Sequence, residues 1–309
     1  MSTDESVVLV DGPWTHQTVH ANGIALHVAE IGTGPLVLFV HGFPQFWWTW
    51  REQLITLAGA GFRAVAVDLR GYGASDKPPR GYDTKTLSDD IAALVTSLGE
   101  RQAVIVGHGV GGLIAWTIAA TRPEVAAAIV TIGSAHPLRL RKSMRPGWPL
   151  DPQLRAVGRK ALQYQLPRLP ESKLNGQSDY VRRLLDSWAG PLWRDSAHYA
   201  EEATRYTHAM RIPPVAHCAL EQFRWLFRSV PRGDGRRYVQ AMRQQITVPV
   251  LQLHGAIDPC ILPRTARGSE DYVSAHYEWR QLDGVGHFPQ REAPARVSEQ
   301  VLRWSRTYS

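Results

Sequence analysis

A chain of 309 residues with 44% hydrophobic content can bury a large core, which excludes a disordered or fibrous protein and fits one α/β domain carrying an insertion. The net charge of +7 comes from arginines dense in Arg139 to Arg145 and between Arg224 and Arg243, but these alternate with apolar residues in helical patterns. With no zinc spacing or RNA-binding aromatic signature beside them, a solvated face is expected and a nucleic-acid partner is not.

In chain order, Trp14 to His20 and Ile24 to Ile31 flank Ala21-Asn22-Gly23 and read as a hairpin. Continuous apolar runs then alternate with helical stretches: PLVLFVHG, a helix from Trp48 to Ala60, FRAVAVDLRG, a helix from Thr86 to Leu98, QAVIVGHG, a helix from Val110 to Ala120, and VAAAIVTIGS. That order predicts a mostly parallel central sheet with helices on both faces. From Pro137 to Ile246 the chain changes to proline breaks, arginines, tryptophans and short amphipathic helices, an inserted helical cap. The strand pattern resumes with VPVLQLHGAID and YEWRQLDGVGH, and a helix follows from Glu292 to Arg306. The expected organisation is a core of residues 1–136 and 247–309 with the cap at 137–246, the two enclosing a pocket at the strand ends.

Cys218 and Cys260 are too few for a disulfide framework, the start Met1 to Ser6 is polar and acidic, and no apolar run approaches the ~20 residues of a bilayer span. A soluble, cytoplasmic protein with no membrane span is the expectation.

The stretch VIVGHGVGGLIAW, residues 104–116, carries the chemical question. Gly107-x-Gly109-x-x-Gly112 matches a dinucleotide fingerprint, which needs an acidic residue at the tip of the next strand to bind ribose. The tip reads Gly133-Ser134-Ala135-His136, with no acid and no arginine, so dinucleotide binding is not expected. The same turn fits a nucleophile elbow with Gly109 at the reactive position. An elbow uses an oxyanion site made by the amide after the nucleophile, here Val110, and by a loop after an earlier strand, here HGFP with Phe43. An acid should follow a late strand, as Asp258 does, and a histidine the last strand, as His287 does. Alone, Asp258 reads as a turn former or helix cap and His287 as an ordinary polar loop residue. Together their order along the chain is that of a hydrolase.

The segments HGFPQFWWTWREQL, DLRGYGASDKP, GHGVGGLIAW and GVGHFPQREAP resemble the α/β-hydrolase fold, specifically its epoxide hydrolase and haloalkane dehalogenase branch, over nearly the whole chain. HGFP with its aromatic cluster is similar to the epoxide hydrolase side. The resemblance implies an elbow aspartate that attacks the epoxide carbon, a histidine that activates water against the resulting ester, and two cap tyrosines that polarise the epoxide oxygen. This chain departs from that pattern. The nucleophile position is Gly109, the late-cap tyrosine is replaced by Leu226 after Trp225, and the early-cap tyrosine aligns with Lys160, leaving Tyr164 either as its alternative or as a packing residue.

The reading that follows is a cofactor-free, metal-free enzyme acting on a small hydrophobic molecule. His287 serves as general base, Asp258 orients it, and the Phe43 and Val110 amides form the oxyanion site, with no covalent aspartyl intermediate. Ordinary epoxide turnover is expected to be slow or absent. A catalytically silent ligand-binding protein is the rival, and lyase, isomerase or cyclase chemistry on the same scaffold is a third reading. Trp47, Tyr164, Trp225, Leu226 and His136 are the candidate substrate contacts. Phe46, Trp48, Trp188, Trp193 and Phe227 are further aromatic candidates for the pocket wall or for core packing. A homodimer is compatible with this reading.

Overall fold

The computed structural model describes residues 4–143, 162–176 and 179–309; Arg145 and Lys160 lie outside the described residues. Strands β1 (Thr15–Ala21) and β2 (Ile24–Ile31) pair as an antiparallel hairpin. Its turn is closed by Asn22 and Gly23, at φ 46° and 77°. Positive φ at both central residues is the two-residue turn whose twist matches that of paired strands.

The sheet continues through β3 (Leu36–Val40), β4 (Arg63–Val67), β5 (Ala103–His108), β6 (Ala126–Ile132), β7 (Val250–Gly255) and β8 (Tyr277–Leu282). The spatial order is β1-β2-β4-β3-β5-β6-β7-β8, antiparallel at β1/β2 and β2/β4 and parallel from β4 onward. β3, β5 and β7 are buried along their whole length. Helices on both faces bury them, which is why they read as unbroken apolar runs instead of alternating ones. Helix α1 (Arg51–Gly59) packs with the C-terminal helix Pro294–Tyr308, and α2 (Thr84–Ser97) packs with α3 (Val110–Thr121).

The expected helix from Trp48 starts later. Trp47–Trp50 forms a 3₁₀ turn and α1 begins at Arg51. The Trp47 amide donates to Asp68 Oδ1 at 2.9 Å and its indole to the Val8 carbonyl at 2.7 Å, which ties this turn to the sheet. Helix α2 begins before Thr86 because Asp83 caps it, accepting from the Thr86 amide at 2.9 Å.

Between β6 and β7 the described residues form helices and no strand, beginning with α4 (Pro137–Ser143). Helix Tyr180–Trp188 shows the pattern that builds this region: Val181, Leu184 and Leu185 are buried on one side while Arg182 and Arg183 face solvent. The segment is fastened to the sheet side by Glu202 of helix Tyr199–Met210. Its carboxylate accepts from Arg291 at 2.7 and 3.1 Å, from the Trp193 indole at 2.8 Å, and from Arg51. Burial would raise the Glu202 carboxyl, but the Arg291 and Arg51 guanidiniums hold it below the usual carboxylate range. No helix among the described residues is long and apolar enough to cross a membrane.

Candidate active site

β5 turns into α3 at Gly109, whose backbone stands at φ 54°, ψ −109°. The glycines around it answer the question raised by their spacing. A Cβ on Gly107 would lie 2.1 Å from the Gly111 carbonyl oxygen, one on Gly111 2.2 Å from that of Val40, and one on Gly112 2.5 Å from the Ser134 Cβ. The glycine run therefore lets the strand-to-helix turn press against β3 and the end of β6, which is a steric requirement unrelated to phosphate. Gly109 differs. A Cβ there would meet His287 Nε2 at 3.7 Å and the Gly42 Cα at 3.8 Å, both ordinary contacts. Space allows a side chain at 109, and only the backbone angle opposes it.

Asp258 lies in the turn after β7 with 2% exposure. Its Oδ1 accepts from the amides of Cys260 at 2.7 Å and Ile261 at 3.1 Å, and its Oδ2 is 2.9 Å from His287 Nδ1. Burial pushes this carboxyl up, while the neighbouring His287, then His254 and the Ile261 amide, bring it below the ordinary range. The ionised carboxylate thus fixes the proton of a neutral His287 on Nδ1, leaving the Nε2 lone pair directed at the Gly109 position.

The loop carrying His287 is held from several sides. The His287 amide donates to the Trp188 carbonyl at 2.9 Å. Glu292 accepts from the amides of Gly286 at 2.6 Å, Gly190 at 2.9 Å and Phe288 at 3.0 Å, so one carboxylate binds the His287 loop to the helical segment. From behind, His108 Nε2 donates to the His287 carbonyl at 2.7 Å. Burial drives the His108 ring down to about 3, and it stays neutral. The sequence places His108 next to Gly109 but gives no sign of this support, because His108 and His287 are far apart along the chain.

A cavity of about 350 Å³ opens at these strand ends. Phe43, Gly109, Val110, Tyr164, Leu226 and His287 all line it. Val110 is the first residue of α3, where amide N–H groups have no partner within the helix. Tyr164 is 4% exposed, and its hydroxyl makes no hydrogen bond of good geometry. Burial, with Tyr180 nearby, raises the Tyr164 phenol well above its ordinary value, so it stays protonated.

Three expected substrate contacts stand elsewhere. Trp47 is fully buried, with its ring edge against Trp14 and its indole committed to Val8, because the turn preceding α1 points it at the N-terminal segment and away from the cavity. Trp225 donates to Asp234 at 3.1 Å and packs on Tyr238, whereas the next residue of helix Val215–Arg228, Leu226, turns to the cavity. His136 is stacked on Tyr272 with ring centres 4.1 Å apart, and burial lowers it to about 3. Of the further aromatics, Trp188 and Phe227 line the cavity, whereas Phe46, Trp48 and Trp193 pack elsewhere.

The reading missed Phe223, Leu113, Cys260 and Ile261, all on the cavity wall. Phe223 lies three residues before Leu226 on one helix, a spacing that would have placed the two on one face. Asp258, Cys260 and His287 also bring potential metal ligands within 4.8 Å of one another. The Asp258 carboxylate is already engaged by His287 and two amides, which leaves Cys260 Sγ and His287 Nε2. That is fewer than the three protein ligands of a catalytic zinc site, and the donor set does not fit a metal.

Residues 35–294 match the alpha/beta hydrolase fold family. The chain belongs to that family. It is 34% identical over 293 residues to the AB hydrolase superfamily protein YfhM of Bacillus subtilis, covering 93% of this chain and 96% of that one. It is 31% identical to an epoxide hydrolase of Caballeronia sordidicola, covering 94% and 93%. Among solved structures, epoxide hydrolase A of Mycobacterium thermoresistibile superposes with a TM-score of 0.80 at 26% identity, covering 96% of this chain and 99% of that one. Within the alpha/beta hydrolases the chain is therefore epoxide hydrolase-like, as its motifs indicated.

Proposed function

We propose that this alpha/beta hydrolase adds water to small hydrophobic epoxides by general-base catalysis at His287, without a covalent aspartyl ester, with residues 137–246 acting as the cap over the core. The observation that carries the reading is the His287–Asp258 pair, 2.9 Å apart, with Nε2 3.7 Å from where a side chain at Gly109 would begin. Gly109 takes the place of the family's nucleophilic aspartate and leaves room for an oxygen of water beside Nε2. The Phe43 and Val110 amides donate to that oxygen and hold it beside Nε2, while the negative charge develops on the departing ring oxygen. His287 takes its proton, the oxygen bonds to the epoxide carbon, and the ring C–O bond breaks. The Tyr164 phenol supplies the proton to the opened oxygen and is restored from protonated His287, which returns both groups to their starting state. Leu226 offers no second donor, so Tyr164 acts alone. The aromatic walls from Phe43, Trp188, Phe223 and Phe227 favour an apolar substrate.

General-base help is worth about 10² to 10⁴, while losing a triad nucleophile costs on the order of 10⁶. Turnover should therefore be slow beside that of relatives with the carboxylate. The loss of reactive groups at both Gly109 and Leu226 favours, as the rival reading, a protein that binds such molecules and leaves them unchanged.

Turnover of an aryl epoxide panel by the chain itself, Gly109→Asp and His287→Ala, with product mass recorded, tests this. Diol formed by the chain and lost in His287→Ala supports it. Diol formed only by Gly109→Asp overturns it in favour of binding, and a product of unchanged mass points to isomerisation.

A further inference from the structure

We propose that Cys260 is a covalent acceptor for small hydrophobic electrophiles, epoxides first among them, which it captures as stable thioethers inside the cavity. Cys260 lines the cavity, and its Sγ lies within 4.8 Å of both a His287 ring nitrogen and an Asp258 carboxylate oxygen. Its amide donates to Asp258 at 2.7 Å, so the turn that orients His287 also fixes the backbone that carries the thiol. No disulfide engages it.

A second observation marks the same space as a ligand site. Tyr164, at 4% exposure, brings to the same wall a buried hydroxyl that makes no hydrogen bond of good geometry, close enough for a charge on Cys260 to act on it. Thiol, imidazole and phenol thus face one apolar space. A thiolate is the most intrinsically nucleophilic of the ordinary side chains, and a neighbouring imidazole supplies the base it needs. With no carboxylate at position 109, no side-chain nucleophile stands at the elbow to compete for the bound molecule.

The step balances without a redox partner. The thiol proton passes to His287 Nε2, sulfur bonds to the less hindered epoxide carbon, the C–O bond breaks, and the opened oxygen takes a proton from Tyr164, which is restored from His287. The product is a hydroxyalkyl thioether. Unlike an aspartyl ester it has no carbonyl for water to attack, so the event occurs once per chain and is separate from hydrolysis, which releases diol and leaves the protein mass unchanged.

Cys218 is an internal control. It is buried, accepts from the Tyr82 hydroxyl at 2.9 Å, and burial pushes its thiol up. It does not line the cavity.

The test is incubation with styrene oxide, followed by intact mass and peptide mapping, for the unaltered chain, Cys260→Ser, Cys218→Ser and His287→Ala. One adduct per chain is expected, on Cys260, abolished in Cys260→Ser, retained in Cys218→Ser and slowed by about 100-fold or more in His287→Ala. No adduct in excess styrene oxide, an adduct on Cys218, or labelling that is unchanged in His287→Ala overturns the proposal. Should a variant fail to fold, the unaltered chain decides: excess 1-phenylethane-1,2-diol must slow adduct formation, and a rate indifferent to it places the reaction outside the cavity. Diol release measured in Cys260→Ser, where no thioether can fill the cavity, reports on the hydrolytic reading separately.

Discussion

Replacing Gly109 with alanine isolates the backbone cost of the elbow from every other effect of a side chain there. The added methyl would stand 3.7 Å from His287 Nε2 and 3.8 Å from the Gly42 Cα, so it creates no overlap and removes no hydrogen bond. What remains is φ 54°, ψ −109°, a region in which a residue with a Cβ is strained by about 1–3 kcal/mol. Alanine also restricts the unfolded chain, which returns about 0.4–1 kcal/mol. Gly109→Ala should therefore lower stability by about 1–2 kcal/mol, read as a lower urea midpoint at unchanged slope. His287-dependent turnover should not rise, because a methyl is no nucleophile. Gly109→Asp should show a comparable loss of stability together with faster diol formation. An alanine variant as stable as the parent, or more so, would refute the claim that the elbow remains strained for ordinary residues.

Asp258→Asn should fold normally yet lose most of the roughly 10² to 10⁴ that His287 contributes as base, because an amide at this position favours the wrong imidazole tautomer; steady-state rates beside a circular dichroism melt check both halves. Glu202→Ala should cost about 2–4 kcal/mol in urea unfolding, since it removes two of the buried Arg291 guanidinium's hydrogen bonds and leaves it paired to the more exposed Glu52 at 2.8 Å; a loss below about 1 kcal/mol would mean that Glu52 and water replace the Glu202 carboxylate. His108 and His136 both titrate near 3 when folded, against 6.5 in the unfolded chain. Since the unfolded state binds more protons between those values, stability is complete above pH 6.5 and falls as pH drops toward 3, by about 1.4 kcal/mol per pH unit per ring. From pH 7.5 to 5.0 the pair should remove roughly 4 kcal/mol. His136→Phe, which keeps a ring against Tyr272, should halve that loss, and an unchanged pH dependence would count against it.

The sheet and the Asp258–His287 pair were legible in the sequence because chain order and apolar runs encode them: a strand buried on both faces announces itself, and acid and histidine each follow a strand. The helix starts near Trp48 and Thr86 were less legible, since Asp68 and Asp83 decide them through hydrogen bonds. Trp47 and Trp225 misled for a related reason. An indole is apolar enough for a pocket wall and polar enough to anchor a buried carbonyl or carboxylate, and only the fold reveals that Val8 and Asp234 are the partners. Nothing in the sequence marks Cys260 as a cavity residue, because two cysteines in a chain say nothing about which of them faces a cavity.

What the surroundings of Gly109 retain bears on what the site can do. Gly107, Gly111 and Gly112 admit no Cβ, His108 occupies the space beside Gly42 and holds the His287 carbonyl, and Glu292 gathers three amides around the loop that carries His287. None of these features stabilises a side chain at 109, since none is present. All of them fix the relation between the first turn of α3, the Phe43 loop and the imidazole. A pocket that only enclosed an apolar ligand would need the walls from Phe43, Trp188 and Phe223 but not a buried, ionised carboxylate holding a ring nitrogen at 2.9 Å. Burying Asp258 carries a desolvation cost that packing alone would not require, and the part of the molecule that recovers it is His287. That cost is intelligible if the imidazole accepts a proton, either from water bound beside Gly109 or from the Cys260 thiol in the neighbouring turn.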